Sequence, residues 1–364
     1  MMKALCYLGQ NKGIRWQSVP KPKIKLPTDV VGKILATTIC GTDLHIVKGH
    51  VPECTECAES QPERGLILGH EGIIEIEETG SKVSKFKKGD ICIVSCISPC
   101  GECYYCKKNI QAHCRETDTH CGWILGHTID GTQAEYVRVP FADHGLYKVP
   151  KGISYDALIM LSDILPTAYE VGVLNGKVKE GDTVAIVGLG PVGLSALIST
   201  KSMNPAKIIA IDMDDSRLEV AKRMGADEII NPSKTDAKEK VHELTASEFK
   251  NSGVDVAMEC VGIPQTFEMC EDLIGPGGHI SNVGVHGSAV QLKLQELWGK
   301  NVTMSTGLVS AYSTAELLQK IVDGKIHPES LATHHFKLDE FEKAYEVFSD
   351  PGKSKAIKVV LTSE

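Results

Sequence analysis

Apolar positions fall along the chain in two textures. Up to about residue 160 they form short runs punctuated by Gly, Pro and Asp, of which Val30 to Thr38, Gly72 to Glu77, Asp90 to Cys96 and Gln133 to Val139 are the clearest. Short β-rich runs bounded by turn formers predict strands, and a series of them predicts an irregular β domain. From about Thr183 such runs alternate with stretches of helical period. Thr183 to Val187 precedes Val192 to Ser202, Lys207 to Asp212 precedes Ser216 to Met224, and Val254 to Cys260 precedes Gln265 to Ile274, with His279 to Val285 following. This alternation predicts βαβ units and a parallel sheet. Further on, Ala315 to Val322 and Glu340 to Ser349 read as helices and Ala356 to Leu361 as a strand; Val283 to Val290 and Val302 to Met304 read as edge or internal strands. Thr183 to Thr200 is uncharged, but Gly188-Leu189-Gly190-Pro191-Val192-Gly193 divides it into strand, turn and helix start, so it predicts no membrane span.

Composition bounds the picture. At roughly 100 to 200 residues per domain, a length of 364 predicts two domains with a core large enough to need no disulfides. Hydrophobic content of 42% with 24% charged residues excludes wholesale disorder, collagen and coiled coil. A net charge of −8 argues against a nucleic-acid partner. Thirteen cysteines, an odd number, argue against a fully paired disulfide framework, and the apolar run Ala4 to Leu8 is too short for a signal-peptide core. The expectation is a cytoplasmic protein with reduced or metal-bound thiols and no membrane partner.

Three constellations carry chemistry. Cys100, Cys103, Cys106 and Cys114 form a C-x2-C-x2-C-x7-C pattern, and four thiolates this close in sequence can wrap one zinc tetrahedrally in a closed, structural site. A dispersed set comprises Cys40, within Cys40-Gly41-Thr42-Asp43-Leu44-His45, His70-Glu71 and Asp163; scattered ligands of this kind suit a catalytic zinc with an open fourth position. The third is Gly188-x-Gly190-x-x-Gly193, with Pro191 and Val192 opening a helix directly after a predicted strand. Asp212 follows Gly193 by 19 residues, close to the roughly 20 of the dinucleotide fingerprint. A carboxylate there accepts ribose hydroxyls and repels a 2′-phosphate, which favours NAD over NADP. Arg217 either softens that choice or is a solvated helix residue.

Together these motifs resemble, over essentially the whole chain, the zinc-dependent medium-chain alcohol dehydrogenases. The resemblance implies an α/β chain with a GroES-like β-rich catalytic domain, residues 1–163 and 305–364, and a Rossmann doubly wound parallel-sheet domain, residues 164–304. It implies two zinc ions per chain: a catalytic one on Cys40, His70 and Asp163, and a structural one on the four-cysteine lobe. Asp163 stands where many members have cysteine; one thiolate, one carboxylate and a neutral imidazole balance Zn²⁺ as well as two thiolates do. Glu71 resembles a glutamate that approaches the zinc. Thr42 and His45 resemble a relay that carries the alcohol proton to solvent while hydride passes to nicotinamide. Thr167 is an implied nicotinamide contact, Val261 and Val283 are implied to pack near the cofactor, and Lys358 is either a phosphate contact or a solvated edge lysine. Val51 and Cys96 resemble pocket residues smaller than those of some members, which implies room for secondary alcohols or small diols.

The implied activity is NAD-linked interconversion of alcohols with aldehydes or ketones by a homodimer or homotetramer. Polyol, threonine and formaldehyde dehydrogenases share these motifs, and a non-catalytic dinucleotide-binding redox sensor would keep the glycine turn but has no need of Thr42 and His45. Cys54 and Cys57 form a C-x2-C pair outside the family pattern, readable as half a metal site, a redox pair or two incidental thiols.

Overall fold

The computed structural model describes residues 1–117, 119–246 and 252–363. The chain divides into two compact units, one of Met1–Asp163, Ser310–Asp323 and Pro328–Glu364, the other of Ile164–Val309 and Gly324–His327. Among the described residues, no helix is long and apolar enough to cross a membrane.

The first unit is built on Val30–Thr38, the middle strand of a seven-stranded sheet. Its β-branched residues pair antiparallel with Gly72–Thr79 along one edge, from Val30↔Thr79 to Thr37↔Gly72. Two strands share the other edge: Tyr136–Val139 pairs with its first half and Lys358–Thr362 with its last residues. Ile34, Ile74, Val94, Val137, Phe341, Val359 and Leu361 fill one continuous core, each worth about 1.5–3 kcal/mol of burial. That sheet fixes the segment before Gly72, because Thr37 Oγ1 and Thr132 Oγ1 both donate to the Glu71 carbonyl at 2.8 Å. A smaller sheet places Met2–Tyr7 between Ile14–Val19 and Leu66–Ile67.

The second unit is an α/β layer whose six strands are all parallel. Their spatial order is Glu228–Ile230, Lys207–Ile211, Thr183–Val187, Val254–Glu259, Ile274–Asn282, Thr303–Thr306. Counted along the chain this is 3-2-1-4-5-6, the doubly wound order with its switch point between the first and fourth strands. Thr303–Thr306 lies at the sheet edge, whereas Val283 to Val290 is not a strand. After Asn282 the chain curls, and the N–H groups of Val283 and Gly284 both donate to the Glu259 carbonyl, at 2.8 and 3.0 Å, which takes the segment off the ladder. Ile274–Asn282 also begins earlier than its pattern indicates. Ile164–Thr167 runs into a buried π-helical stretch, Ala168–Leu174, that has no signature in the sequence.

Candidate functional site

Cys40 caps the helix Gly41–Val47 in an extended conformation, and Asp43 at the third helical position reaches back to accept its N–H at 2.9 Å. Asp43 is buried and also accepts from Gln133 Nε2 at 3.0 Å; burial pushes its carboxyl up. His70 sits between the strands Leu66–Ile67 and Gly72–Thr79, with Nδ1 turned to Asp43 Oδ1 at 3.9 Å and Nε2 to Asp163 Oδ2 at 3.4 Å. Cys40 Sγ lies 3.8 Å from the same Asp163 oxygen. One donor atom from each of Cys40, His70, Glu71 and Asp163 falls within 4.8 Å of the others.

This cluster fits a tetrahedral zinc with three protein ligands. A thiol, two carboxylates and an imidazole converge in a largely buried space, a donor set that a divalent cation neutralises. The Asp43 carboxylate, 3.9 Å from Nδ1 and beyond hydrogen-bond range, acts on His70 through its charge and leaves Nε2 to face the cluster. Burial opposes charge on His70, but the hydrogen bonds to Asp163 and Cys40 outweigh it and raise its pKa well above the usual value. Burial pushes Glu71 up to about 6, against the pull of Lys358.

Lys358 corrects the sequence reading. It is 1% exposed, and its Nζ sits 2.9 and 2.6 Å from the two Glu71 oxygens. It is therefore neither a solvated edge lysine nor a free cation for a phosphate. Burial works against its charge, yet Glu71 holds its pKa above the ordinary lysine value.

Thr42 Oγ1 lies 3.7 Å from Cys40 Sγ. His45 is exposed as a residue, with its Nδ1 3.1 Å from Nδ1 of His50; partial burial of the ring, then the nearby His50 and Lys48, lowers its pKa and favours the neutral form. His50 and Trp123 are neighbours that motif reading misses. Trp123 meets His70 edge-on with ring centres 6.0 Å apart and stacks on His127 at 4.2 Å; nothing in a loop tryptophan's local sequence signals this. Val51 caps the helix Pro52–Glu59 and packs against the core. Cys96 is buried, its N–H donating to the Ser162 carbonyl at 2.8 Å beside Asp163.

Cys100, Cys103, Cys106 and Cys114 form a second cluster of donors within 4.8 Å. Cys100 Sγ lies 3.8 Å from Cys106 Sγ and accepts the Cys103 N–H at 3.3 Å, while Cys114 Sγ accepts the Cys100 N–H at 3.3 Å. Burial works against the Cys103 thiolate, but N–H groups including that of Arg115 outweigh it and bring its pKa down to about 6. All thirteen cysteines are free thiols. Cys54 and Cys57 instead face a loop, with Sγ atoms 3.9 Å from the Gly126 carbonyl and 3.6 Å from that of Thr128. Burial pushes Cys54 up to about 12, and among the described residues neither thiol joins a metal-capable group, so the pair packs one helix against its loop.

In the second unit, Gly188-Gly190-Gly193 links Thr183–Val187 to the helix Pro191–Lys201, with Gly190 as its cap and Pro191 and Val192 in its first turn. A Cβ on Gly193 would stand 1.8 Å from the Gly188 carbonyl oxygen, whereas one on Gly190 would meet nothing within 4 Å. Gly193 is thus a packing glycine, and Gly190 leaves open space at a helix N-terminus, the place where a pyrophosphate would sit. Asp212 follows the adjacent strand. Its Oδ2 accepts the Leu189 N–H at 2.7 Å and its Oδ1 the Asp214 N–H at 2.8 Å, with Arg217 Nη1 3.8 Å away. Arg217 therefore leans on Asp212 rather than standing free in solvent. Val261 and Val283 follow the strands Val254–Glu259 and Ile274–Asn282, 46% and 8% exposed, and Thr167 closes the helix Ile164–Thr167.

Residues 26–151 match the alcohol dehydrogenase GroES-like domain and residues 191–323 the zinc-binding dehydrogenase domain. An alcohol dehydrogenase of Cupriavidus necator is 33% identical over 366 aligned positions, covering 96% of each chain. The solved zinc dependent alcohol dehydrogenase 2 from Streptococcus pneumonia superposes with a TM-score of 0.91 at 48% identity, covering 100% of this chain and 99% of that one. A zinc-binding dehydrogenase from Sinorhizobium meliloti 1021, solved bound to NADP, gives a TM-score of 0.82 at 25% identity, covering 100% of this chain and 99% of that one.

Proposed function

Since the chain belongs to the zinc-type alcohol dehydrogenase family, we propose that it is an NAD-linked enzyme interconverting primary or secondary alcohols, small diols included, with aldehydes or ketones. The observation that carries this reading is the convergence of Cys40, His70, Asp163 and Glu71 donors within 4.8 Å, beside Thr42. A zinc held by Cys40, His70 and Asp163 would supply Lewis acidity toward the substrate oxygen, and NAD the hydride acceptor. Asp43 orients His70, and the Glu71–Lys358 pair holds a fourth donor back within reach. Thr42 would accept the alcohol proton as its own hydroxyl proton moves on toward His45, which, with a lowered pKa that favours the neutral ring, would accept that proton and release one to water. The cysteine lobe would hold a second, structural zinc.

Asp212 supports NAD over NADP, because its carboxylate is fixed by two backbone N–H groups where a ribose 2′-oxygen would arrive. This preference differs from the cofactor of the Sinorhizobium neighbour. Homo-oligomerisation is supported by the edge strand Thr303–Thr306 and the exposed apolar residues near it in sequence, Trp298 at 77% and Leu308 at 48%.

The test is reduction of NAD and NADP across primary and secondary alcohols, diols, polyols and threonine, with zinc measured on the same samples. Asp163→Ala should abolish turnover and lower zinc from about two to about one per chain. Unchanged zinc and activity would remove Asp163 from the ligand set.

A further inference from the structure

A cavity of about 440 Å³ opens in the first unit away from the metal-capable clusters, with Lys21, Lys23, Lys25, Arg64 and Arg138 in its wall. Five cations around one cavity are unexpected in a chain of net charge −8, and Asp130 is the one carboxylate that shares the lining. The wall is rigid. Asp29, fully buried, accepts the N–H groups of Lys25 and Leu26 at 3.0 and 2.9 Å and Arg138 Nη1 at 3.1 Å, which pins the lysine-bearing segment to the sheet. Lys21 is held between Glu77, at 2.6 Å, and the face of Tyr136, its Nζ 3.6 Å from the ring centre. Arg64 is fixed by Asp130 at 2.8 Å.

These pairs leave charge over. Glu77, Asp130 and Asp29 answer Lys21, Arg64 and Arg138, but among the described residues no carboxylate lies in ion-pair range of Lys23 or Lys25. Arg138 spends only Nη1 on a protein acceptor although its side chain is just 13% exposed. A mostly buried guanidinium with donors to spare, under a rim of two unpaired lysines, is a recognition geometry for carboxylate or phosphate oxygens. The volume lies in the range of small-ligand sites, roughly 300–1,000 Å³, and concavity favours a small solute over a flat macromolecular surface.

We propose that this cavity binds a small, multiply charged anion, a phosphate- or polycarboxylate-bearing metabolite, at a site separate from substrate and cofactor. Arg138 forms its floor, and Lys23 and Lys25 close over the anion. Lys23 and Lys25 are exposed to water, so affinity falls as salt rises.

Titration calorimetry on the zinc-loaded full chain at low ionic strength, with NADH saturating so that the glycine turn is occupied, tests this with inorganic phosphate and with tricarballylate. The expected result is a saturable one-to-one site for at least one of them, the two arms separating phosphate from carboxylate chemistry. The double variant Lys23→Gln/Lys25→Gln, both exposed and unpaired, should weaken it at least about tenfold, since it removes both cations that would contact the anion from the rim. Lys12→Gln/Lys82→Gln, an equal charge change at two exposed lysines outside the cavity, should bind as the parent does. Absence of a saturable site for both anions, or parental affinity in Lys23→Gln/Lys25→Gln, overturns the proposal.

Discussion

Glu71 and Lys358 show how much one side chain depends on another. Both are fully buried, and each has the other as its closest opposite charge. Taking two ions out of water costs several kcal/mol apiece, and contact at 2.6 Å offsets that cost only while both partners are present. Lys358→Met should therefore lower stability by about 3–5 kcal/mol, read as a fall in the urea midpoint, while Glu71→Gln/Lys358→Met should recover most of the loss. A double variant no better than Lys358→Met would show that the lysine acts through packing alone. His279 tests the opposite case, a histidine held neutral. Burial, then Lys177 and Lys179, lower its pKa below 6.5. The unfolded chain thus takes up this proton first as pH falls, and stability is lost from about 6.5 downward to the folded pKa. His279→Gln should narrow the difference between urea midpoints at pH 7.5 and 5.5; an unchanged difference would place the proton elsewhere.

At the scale of elements, the strand-turn-helix from Thr183 to Lys201 separates glycines that pack from a glycine that leaves room. Gly193→Ala forces a Cβ to 1.8 Å from a carbonyl oxygen and should destabilise the turn by several kcal/mol, in the upper part of the range for single substitutions. Gly190→Ala meets nothing within 4 Å, so it should leave the unfolding midpoint nearly unchanged while raising KM for NAD at least tenfold. Equal effects of both variants on stability and KM would remove that distinction. The same element shows what a sequence displays. Val30–Thr38 and Thr183–Val187 are legible to the residue, because apolar runs ended by turn formers have no competing interpretation. Ile274–Asn282 is not, since Pro276, Gly277 and Gly278 interrupt the pattern inside the strand. Pairing with Val254–Glu259 absorbs them through a register shift between Val254 and Val256. The family resemblance likewise singles out Cys40, His70 and Asp163, but no local pattern reveals that Lys358 closes on Glu71 across 287 positions or that Trp123 lies against His70.

For the whole molecule, the decisive asymmetry is that every residue of both metal-capable clusters lies in the first unit, between Cys40 and Asp163, and none in the second. The four-cysteine lobe spans loops and short 3₁₀ turns rather than a ladder. Backbone N–H groups there donate to sulfur, as at Cys100 and Cys103, so its order depends on what the thiolates hold. The six-stranded sheet of the second unit has its own apolar core, including Val187, Ile209, Ala257 and Ile280, which owes nothing to metal. Stripping zinc with a chelator should therefore act on one unit alone. Amide hydrogen exchange followed by mass spectrometry should speed up at least tenfold in peptides from 97–122, and to a smaller extent around 40–46 and 68–72. Peptides from Thr183–Val187, Lys207–Ile211 and Val254–Glu259 should keep their protection. Readdition of zinc should restore the slow exchange, with the lobe recovering as one step, as expected of four thiolates that would close around one ion. Exchange rising uniformly through both units, or no change in 97–122, would show that metal is not what orders the lobe.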